Sequence, residues 1–175
     1  GTAADPLLAL LGGACLGATV DLTTTVPVDA RAFVCPDAWL DRYEVEPGCS
    51  RLAYGGPPET TGVAHFEREL WSENPIEPPD PVSPDDTLLA IEDVTYTQGE
   101  LLAAAESVAE THELTAGDRI CLDASLHSAG AIAAGVVAPL SVGATIVPDG
   151  DATGDGVYTV TTETVDGAAV DPATV

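Results

Sequence analysis

Residues 87–147 decide the fold, and they read TLLAIEDVTYTQGELLAAAESVAETHELTAGDRICLDASLHSAGAIAAGVVAPLSVGATIV. Apolar runs with strand character stand at three places: Thr87–Ile91, Asp118–Asp123 and Ala144–Val147. Helical patterns separate them, one from Gln98 and one from Ser128 to about Ala138, and a short extended piece, Val94–Tyr96, precedes the first helix. This β, α, β, α, β order predicts an α/β fold with a mainly parallel sheet layered with helices.

The first of these helices carries a clear start signal. Thr97-Gln98-Gly99-Glu100 has a hydroxyl and a carboxylate three residues apart, which is the spacing of a capping box. The apolar residues that follow fall on one helical face. They are Leu101, Leu102, Ala105, Val108 and Ala109.

The region before residue 72 repeats one unit of this pattern. Asp5 and Pro6 open a helix that runs to about Leu16 and stops at Gly17, and a buried strand is expected at Ala18–Leu22. The same sequence of apolar helix, glycine stop and strand recurs at Gly143. Further elements are expected as strands at Arg31–Cys35 and Arg51–Tyr54, a helical turn at Asp37–Arg42 and a short helix at Val63–Trp71.

The length of 175 residues suits a single α/β domain, 1–175. Five prolines between Ser72 and Pro84 exclude a helix or a central strand, so residues 72–84 are expected to be an extended connection. It joins a first half, 1–71, to a second half, 85–161, and residues 162–175 form a C-terminal tail.

Charge gives the strongest compositional signal. The chain has 29 Asp and Glu, five Arg and no Lys, for a net charge of −24. This surface repels phosphates and anionic lipid, so neither nucleic acid nor a membrane is an expected partner. Molar salt shortens the Debye length to about 3 Å and screens the repulsion, which favours a cytoplasmic protein of a high-salt cell. No run approaches the roughly 20 apolar residues of a membrane span.

The four cysteines show no C-x-x-C spacing, so zinc and redox motifs are not expected. Cys15 and Cys121 lie in apolar runs and are predicted to be small buried side chains. Cys35 and Cys49 allow a disulfide, although a reducing cytosol favours free thiols. The chain has no Met, even at position 1, which fits either a processed start or an excerpt of a longer protein.

Several motifs suggest chemistry but have simpler interpretations. Gly12-Gly13 lacks the Lys of a phosphate loop. Asp149–Asp155 lacks the Glu that closes a calcium loop, so this segment is interpreted as a turn. His65 and Glu69 are four apart on the expected helix without a third metal ligand. His112 stands near a helix C-terminus, where the helix dipole stabilises a positive imidazole.

A serine hydrolase is also not supported. Ser128 is adjacent to His127, with Asp123 upstream, but no G-x-S-x-G elbow surrounds the serine. Neighbouring residues rarely face each other, so this grouping is interpreted as coincidence. We expect neither catalytic residues nor a metal site in this chain.

Three segments together resemble AMP-forming acyl-CoA synthetases, the adenylate-forming family. They are Glu113–Arg119, Leu126–Gly130 and Ala138–Val147, which follow the order Leu-x-x-x-Asp-Arg, His-x-x-Gly and Pro-Leu-x-x-Gly-Ala-x-x-Val. The resemblance is good over residues 85–149 and weaker over 5–35. It implies part of the large N-terminal domain of these enzymes.

The residues that hold ATP in this family are missing. Its Pro-Lys-Gly phosphate loop is expected before the helix at Gln98, but Thr87–Ile91 runs through Glu92-Asp93 directly into Val94. The Tyr-Gly-x-Thr-Glu loop, the ribose-binding Asp and the C-terminal catalytic Lys are also absent. The resemblance therefore implies a degenerate or trimmed relative, with no cofactor in this chain and ATP, Mg and CoA only if a longer chain or a partner completes the site.

His127 is the family position that carries over. It matches the His of His-x-x-Gly, which the resemblance places beside the acyl pocket, with Gly130 allowing close approach of an acyl or acyl-thioester ligand. A capping or core histidine is an equally good interpretation on sequence grounds. The sequence thus predicts an acyl-CoA synthetase-like protein that cannot adenylate a carboxylic acid alone. The alternative is a non-catalytic module for acyl-ligand binding or assembly. Both a homo-oligomer and a complex with a partner chain stay open.

Overall fold

The structure, a computed structural model, describes residues 4–22, 26–72, 81–148, 156–162, 169–170 and 173. Strands within these ranges form three sheets. Most of the predicted connection 72–84, the predicted turn at 149–155 and most of the tail lie outside the described residues. The division into two halves therefore stays a prediction.

The largest sheet is parallel throughout, with the strand order β10-β9-β7-β8. Its members are β7 (Arg119–Asp123), β8 (Thr145–Val147), β9 (Val157–Thr161) and β10 (Ala169–Val170). The central residues of β7, Ile120, Cys121 and Leu122, are almost fully buried. A continuous apolar run of this kind is typical of a strand covered on both faces. The α/β architecture with a parallel sheet is confirmed here.

The central helix follows β7 and consists of α4 (Ala129–Ile132), a π-helical segment (Ala133–Val137) and α5 (Ala138–Val142). It ends four residues later than predicted, because Pro139 stands in the first turn of α5, where a missing N–H is tolerated. The central helix packs closely on the sheet at Gly135. A Cβ there would lie 2.5 Å from Leu122 Cδ1.

Helix α3 (Gln98–Thr111) begins with the predicted capping box. The Thr97 Oγ1 atom accepts the Glu100 backbone N–H at 3.2 Å, and the Glu100 carboxylate accepts the Thr97 N–H at 2.8 Å. Leu101, Ala105 and Val108 are buried as expected, whereas Leu102 is 48% exposed. Leu102 was misplaced because a neighbouring position is rotated by about 100° from the buried stripe.

A second sheet has the order β1-β5-β6 and is mixed rather than parallel. Strand β1 (Val20–Asp21) pairs in parallel with β5 (Thr87–Ile91), whereas β6 (Val94–Thr97) pairs antiparallel with β5. A two-residue turn links the antiparallel pair, with Glu92 at φ 53. The predicted buried strand at Ala18–Leu22 is shorter and less buried, because it is an edge strand.

The third sheet is small and parallel, with the order β2-β3-β4. It contains β2 (Ala32–Pro36), β3 (Ser50–Tyr54) and β4 (Val63–His65), with a 3-10 helix at Asp37–Arg42 between the first two. The predicted helix at Val63–Trp71 was wrong for its first three residues, which pair with Arg51–Ala53 as a strand. Helix α2 begins only at Phe66 and ends at Ser72.

Helix α1 (Ala4–Cys15) packs onto the elements that follow residue 85. Its Leu7 side chain lies in one buried cluster with Ala105 and Val108, and Leu10 lies in another with Leu101. The predicted glycine stops are confirmed, since Gly17 has φ 64 and Gly143 has φ 76. Left-handed glycine is the usual way to end a helix before a strand.

The cysteines are all free. Cys121 and Cys35 are buried and Cys49 is half-buried. Cys35 and Cys49 are free thiols, so the disulfide between them that the sequence allowed is not present. Cys15 is exposed, contrary to prediction, and it is the last residue of α1. No helix within the described ranges has the length and apolar character needed to cross a bilayer.

Candidate functional site

The candidate site lies where β7 gives way to the central helix. Strand β7 ends at Asp123, which is in register with Thr161 at the end of β9, and β8 ends nearby at Val147. Ligands of parallel α/β sheets bind outside the carboxyl ends of the strands. Residues 124–128, which carry the predicted His127, form the loop at this edge.

His127 is held within this loop by Ser125. The Ser125 Oγ atom accepts the backbone N–H of His127 at 3.2 Å and also lies 3.2 Å from the His127 Nδ1 atom. The side chain of His127 is otherwise exposed at the edge of the sheet. An exposed imidazole does not fit the core histidine that the sequence left open as an alternative. The contact of His127 with Ser125 is made within the same loop.

Ser125 was missed in the sequence, although a signal for it exists. Serine two residues before a backbone N–H often closes a small hydroxyl-bonded turn. Ser128, the residue that the sequence placed beside His127, instead caps the central helix, where its Oγ atom accepts the Ala131 N–H at 3.4 Å. Within the loop, His127 thus contacts Ser125, whereas Ser128 contacts the helix that follows.

Gly130 lies in the first turn of α4 and is half-buried, as is Ala129. The following small residues, Ala131, Ala133 and Ala134, are at most 1% exposed and pack into the core. They provide close packing rather than a cleft of their own. Gly130 and Ala129 are thus the small residues of this run that remain near the surface beside His127.

His65 does not share a helical face with Glu69. His65 ends β4, and its Nε2 atom lies 3.0 Å from the Glu67 Oε2 atom, whereas Glu69 pairs with Arg68. The Glu67 carboxylate also accepts the Gly55 N–H at 2.6 Å. Burial acts to raise the pKa of Glu67, but these hydrogen bonds and His65 outweigh it and lower the pKa below its ordinary range.

His112 is the C-cap residue of α3. Its carbonyl oxygen accepts the Tyr158 hydroxyl at 3.1 Å, and the Tyr158 ring stands edge-on to the imidazole at 6.1 Å. These contacts tie α3 to β9 and give His112 a structural role. In the described part of the chain, no three His, Cys, Asp or Glu side chains are grouped to hold a metal.

Comparison with known proteins identifies the fold. No family model matches the chain, and neither does any curated protein. An anthranilate CoA ligase in complex with anthranoyl-AMP matches with a TM-score of 0.70 at 15% identity, over 86% of this chain and 34% of the ligase. A benzoate CoA ligase from Burkholderia xenovorans matches with a TM-score of 0.64 at 22% identity, over 79% and 31%. The chain has the fold of part of a CoA ligase.

This CoA-ligase fold confirms the fold class that the resemblance implied. The chain spans about a third of the length of each of the two ligases. Similarity at this level of identity specifies the arrangement of helices and sheets, whereas chemistry depends on particular side chains.

The hairpin between β5 and β6 is where the resemblance placed the phosphate loop. In this CoA-ligase fold the two strands are joined by only Glu92 and Asp93, and both residues are exposed. Two residues are too few for the glycine-rich turn that cradles a phosphate chain in backbone N–H groups. Both residues of this turn are carboxylates.

Proposed function

We propose that the chain is an acyl-CoA synthetase-like protein that binds a carboxylic acid or acyl thioester but does not adenylate it unaided. The observation that carries this proposal is the two-residue turn at Glu92-Asp93 in a CoA-ligase fold. Each carboxylate within about 4 Å of a phosphate would oppose binding by about 1–4 kcal/mol, depending on screening. The chain also has no Lys to offset that repulsion.

The acyl-binding part of the proposal rests on the loop at residues 124–128. His127 is exposed at the carboxyl edge of the parallel sheet, and the half-buried Gly130 follows three residues later in the first turn of α4. The matched ligases are named for anthranilate and benzoate, so we propose aryl carboxylates as the first ligands to examine. ATP, Mg and CoA would enter only with a longer chain or a partner that completes the site.

Two assays test the two halves of this proposal. Carboxylate-dependent exchange between ATP and pyrophosphate by the purified chain should be absent, and measurable exchange would overturn the claim that it cannot adenylate. Calorimetric titration with benzoate at molar KCl should show binding that His127→Ala weakens. His112→Ala is the comparison variant, because His112 contacts Tyr158 near the amino end of β9, whereas residues 124–128 follow the carboxyl end of β7.

A non-catalytic assembly module is the second candidate, and one surface feature favours it. Leu70 and Trp71 at the end of α2 are 45% and 90% exposed. Exposed large apolar side chains in sequence are typical of contact surfaces. If sedimentation shows an oligomer that Trp71→Ser dissociates, and benzoate does not bind, the assembly role is favoured over the acyl-binding role.

A further inference from the structure

The hydroxyl of Ser125 has two partners on the same residue. Its Oγ atom lies 3.2 Å from the His127 backbone nitrogen and 3.2 Å from the His127 Nδ1 atom. A serine hydroxyl offers one donor and two acceptor positions. The backbone N–H can only donate, so it uses one of the two acceptor positions.

The direction of the remaining contact depends on which ring nitrogen carries the proton. A hydroxyl that already accepts a hydrogen bond is polarised and becomes a stronger donor, which favours donation from Ser125 O–H to Nδ1. In neutral imidazole one ring nitrogen is an acceptor and the other carries the proton. Once Nδ1 accepts from Ser125, the proton belongs on Nε2.

We propose that Ser125 is a positioning residue that holds His127 in the Nε2–H form. His127 then offers a hydrogen-bond donor at the carboxyl edge of the sheet. The ligand group that fits a donor is an acceptor, namely a carboxylate or the carbonyl oxygen of an acyl thioester. This inference rests on the proposed acyl-binding function and names the ligand atom that His127 recognises.

The neighbouring serine provides a natural control. Ser128 Oγ accepts the Ala131 N–H and caps α4, so it serves the helix, whereas Ser125 serves the imidazole. Removal of Ser128 should lower stability without changing the protonation of His127. Removal of the Ser125 hydroxyl should change which ring nitrogen of His127 carries the proton. Loss of helix capping alone should not change it.

The test is a two-bond ¹H–¹⁵N correlation spectrum of the imidazole in the full chain, near pH 8 and at molar KCl. We expect the Nε2–H pattern in the unaltered protein and in Ser128→Ala, a mixture of both tautomers in Ser125→Ala, and recovery of the Nε2–H pattern in Ser125→Thr. A titration with benzoate should give a Kd that rises about three- to tenfold in Ser125→Ala, which is the size of one hydrogen bond.

The two readouts separate the possible failures. A tautomer pattern that Ser125→Ala leaves unchanged would overturn the positioning role, whatever benzoate does. A tautomer that responds as expected while benzoate fails to bind the unaltered protein would instead overturn the acyl-binding function, and the ligand assignment with it. A Kd that does not change in Ser125→Ala would overturn the ligand assignment alone.

Discussion

Gly135→Ala adds one methyl group where the central helix contacts β7. The new Cβ atom would lie 2.5 Å from Leu122 Cδ1 and 3.7 Å from Val160 Cγ2. The first distance is about 1 Å shorter than an ordinary carbon contact of roughly 3.5–4.0 Å. Leu122 is 2% exposed and Val160 is 0% exposed, so neither side chain has free space into which to move.

The expected magnitude combines two opposing terms. Overpacking of a core costs about 1–3 kcal/mol, and replacing glycine by alanine in a helix returns up to about 1 kcal/mol. The net cost lies between about 0 and 3 kcal/mol, and we expect Gly135→Ala to lower the free energy of unfolding by about 1–2 kcal/mol, the middle of that range. Gly12→Ala in α1 is the control, because a Cβ at Gly12 meets nothing within 4 Å. It should gain up to about 1 kcal/mol.

Urea unfolding at constant high KCl measures both variants, and a double-mutant cycle sharpens the comparison. In a Leu122→Ala background the added methyl group has room, so Gly135→Ala should become neutral or stabilising. Equal stabilisation by Gly135→Ala and Gly12→Ala in the unaltered background would refute the close packing of the central helix on β7.

Three further predictions concern charge and capping. Since the net charge is −24, the urea midpoint should rise from tens of millimolar toward molar KCl, and a flat midpoint would count against adaptation to high salt. Thr97→Ala should cost about 1 kcal/mol by loss of the α3 cap, and an unchanged midpoint would argue against the capping box. Because folding lowers the pKa of Glu67 from its ordinary value near 4.5, its contribution to stability is present above that pH and is lost as the pH falls through the lower folded pKa. Glu67→Gln should flatten this acidic slope, and an unaltered slope would show that Glu67 does not contribute.

Local chemistry made part of the fold predictable from sequence. The capping box at Thr97 and the glycine stops at Gly17 and Gly143 depend on residues close together in the chain, and all three are present. The buried strand β7 was also predictable, because a strand covered on both faces is continuously apolar.

Long-range pairing decided one of the mispredicted elements, and a local turn decided another. Val63–His65 is a strand because β3 lies beside it, and nothing in the local pattern specifies that partner. The antiparallel direction of β6 follows from a two-residue turn with Glu92 at positive φ, which glycine or asparagine would have signalled more clearly.

The candidate site was partly predictable. His127 was found through its match to His-x-x-Gly, and its place at the carboxyl edge of β7 follows from the order of strand and helix. Ser125 was not found, because its contact with Nδ1 depends on the path of the loop. A serine two residues before a histidine does not by itself indicate such a contact. The burial of Ala131 and Ala133 depends on packing with α1 and α3, which lie well before them in the sequence.

The most direct test of acyl binding without adenylation is the NMR signal of the His127 imidazole during titration with benzoate at molar KCl, in the presence and absence of Mg-ATP. We expect a saturable change at His127 that does not depend on Mg-ATP, with His65 and His112 unaffected and no adenylate formed. A spectrum in which His127 does not respond, or a response that requires Mg-ATP and yields benzoyl-AMP, would contradict it.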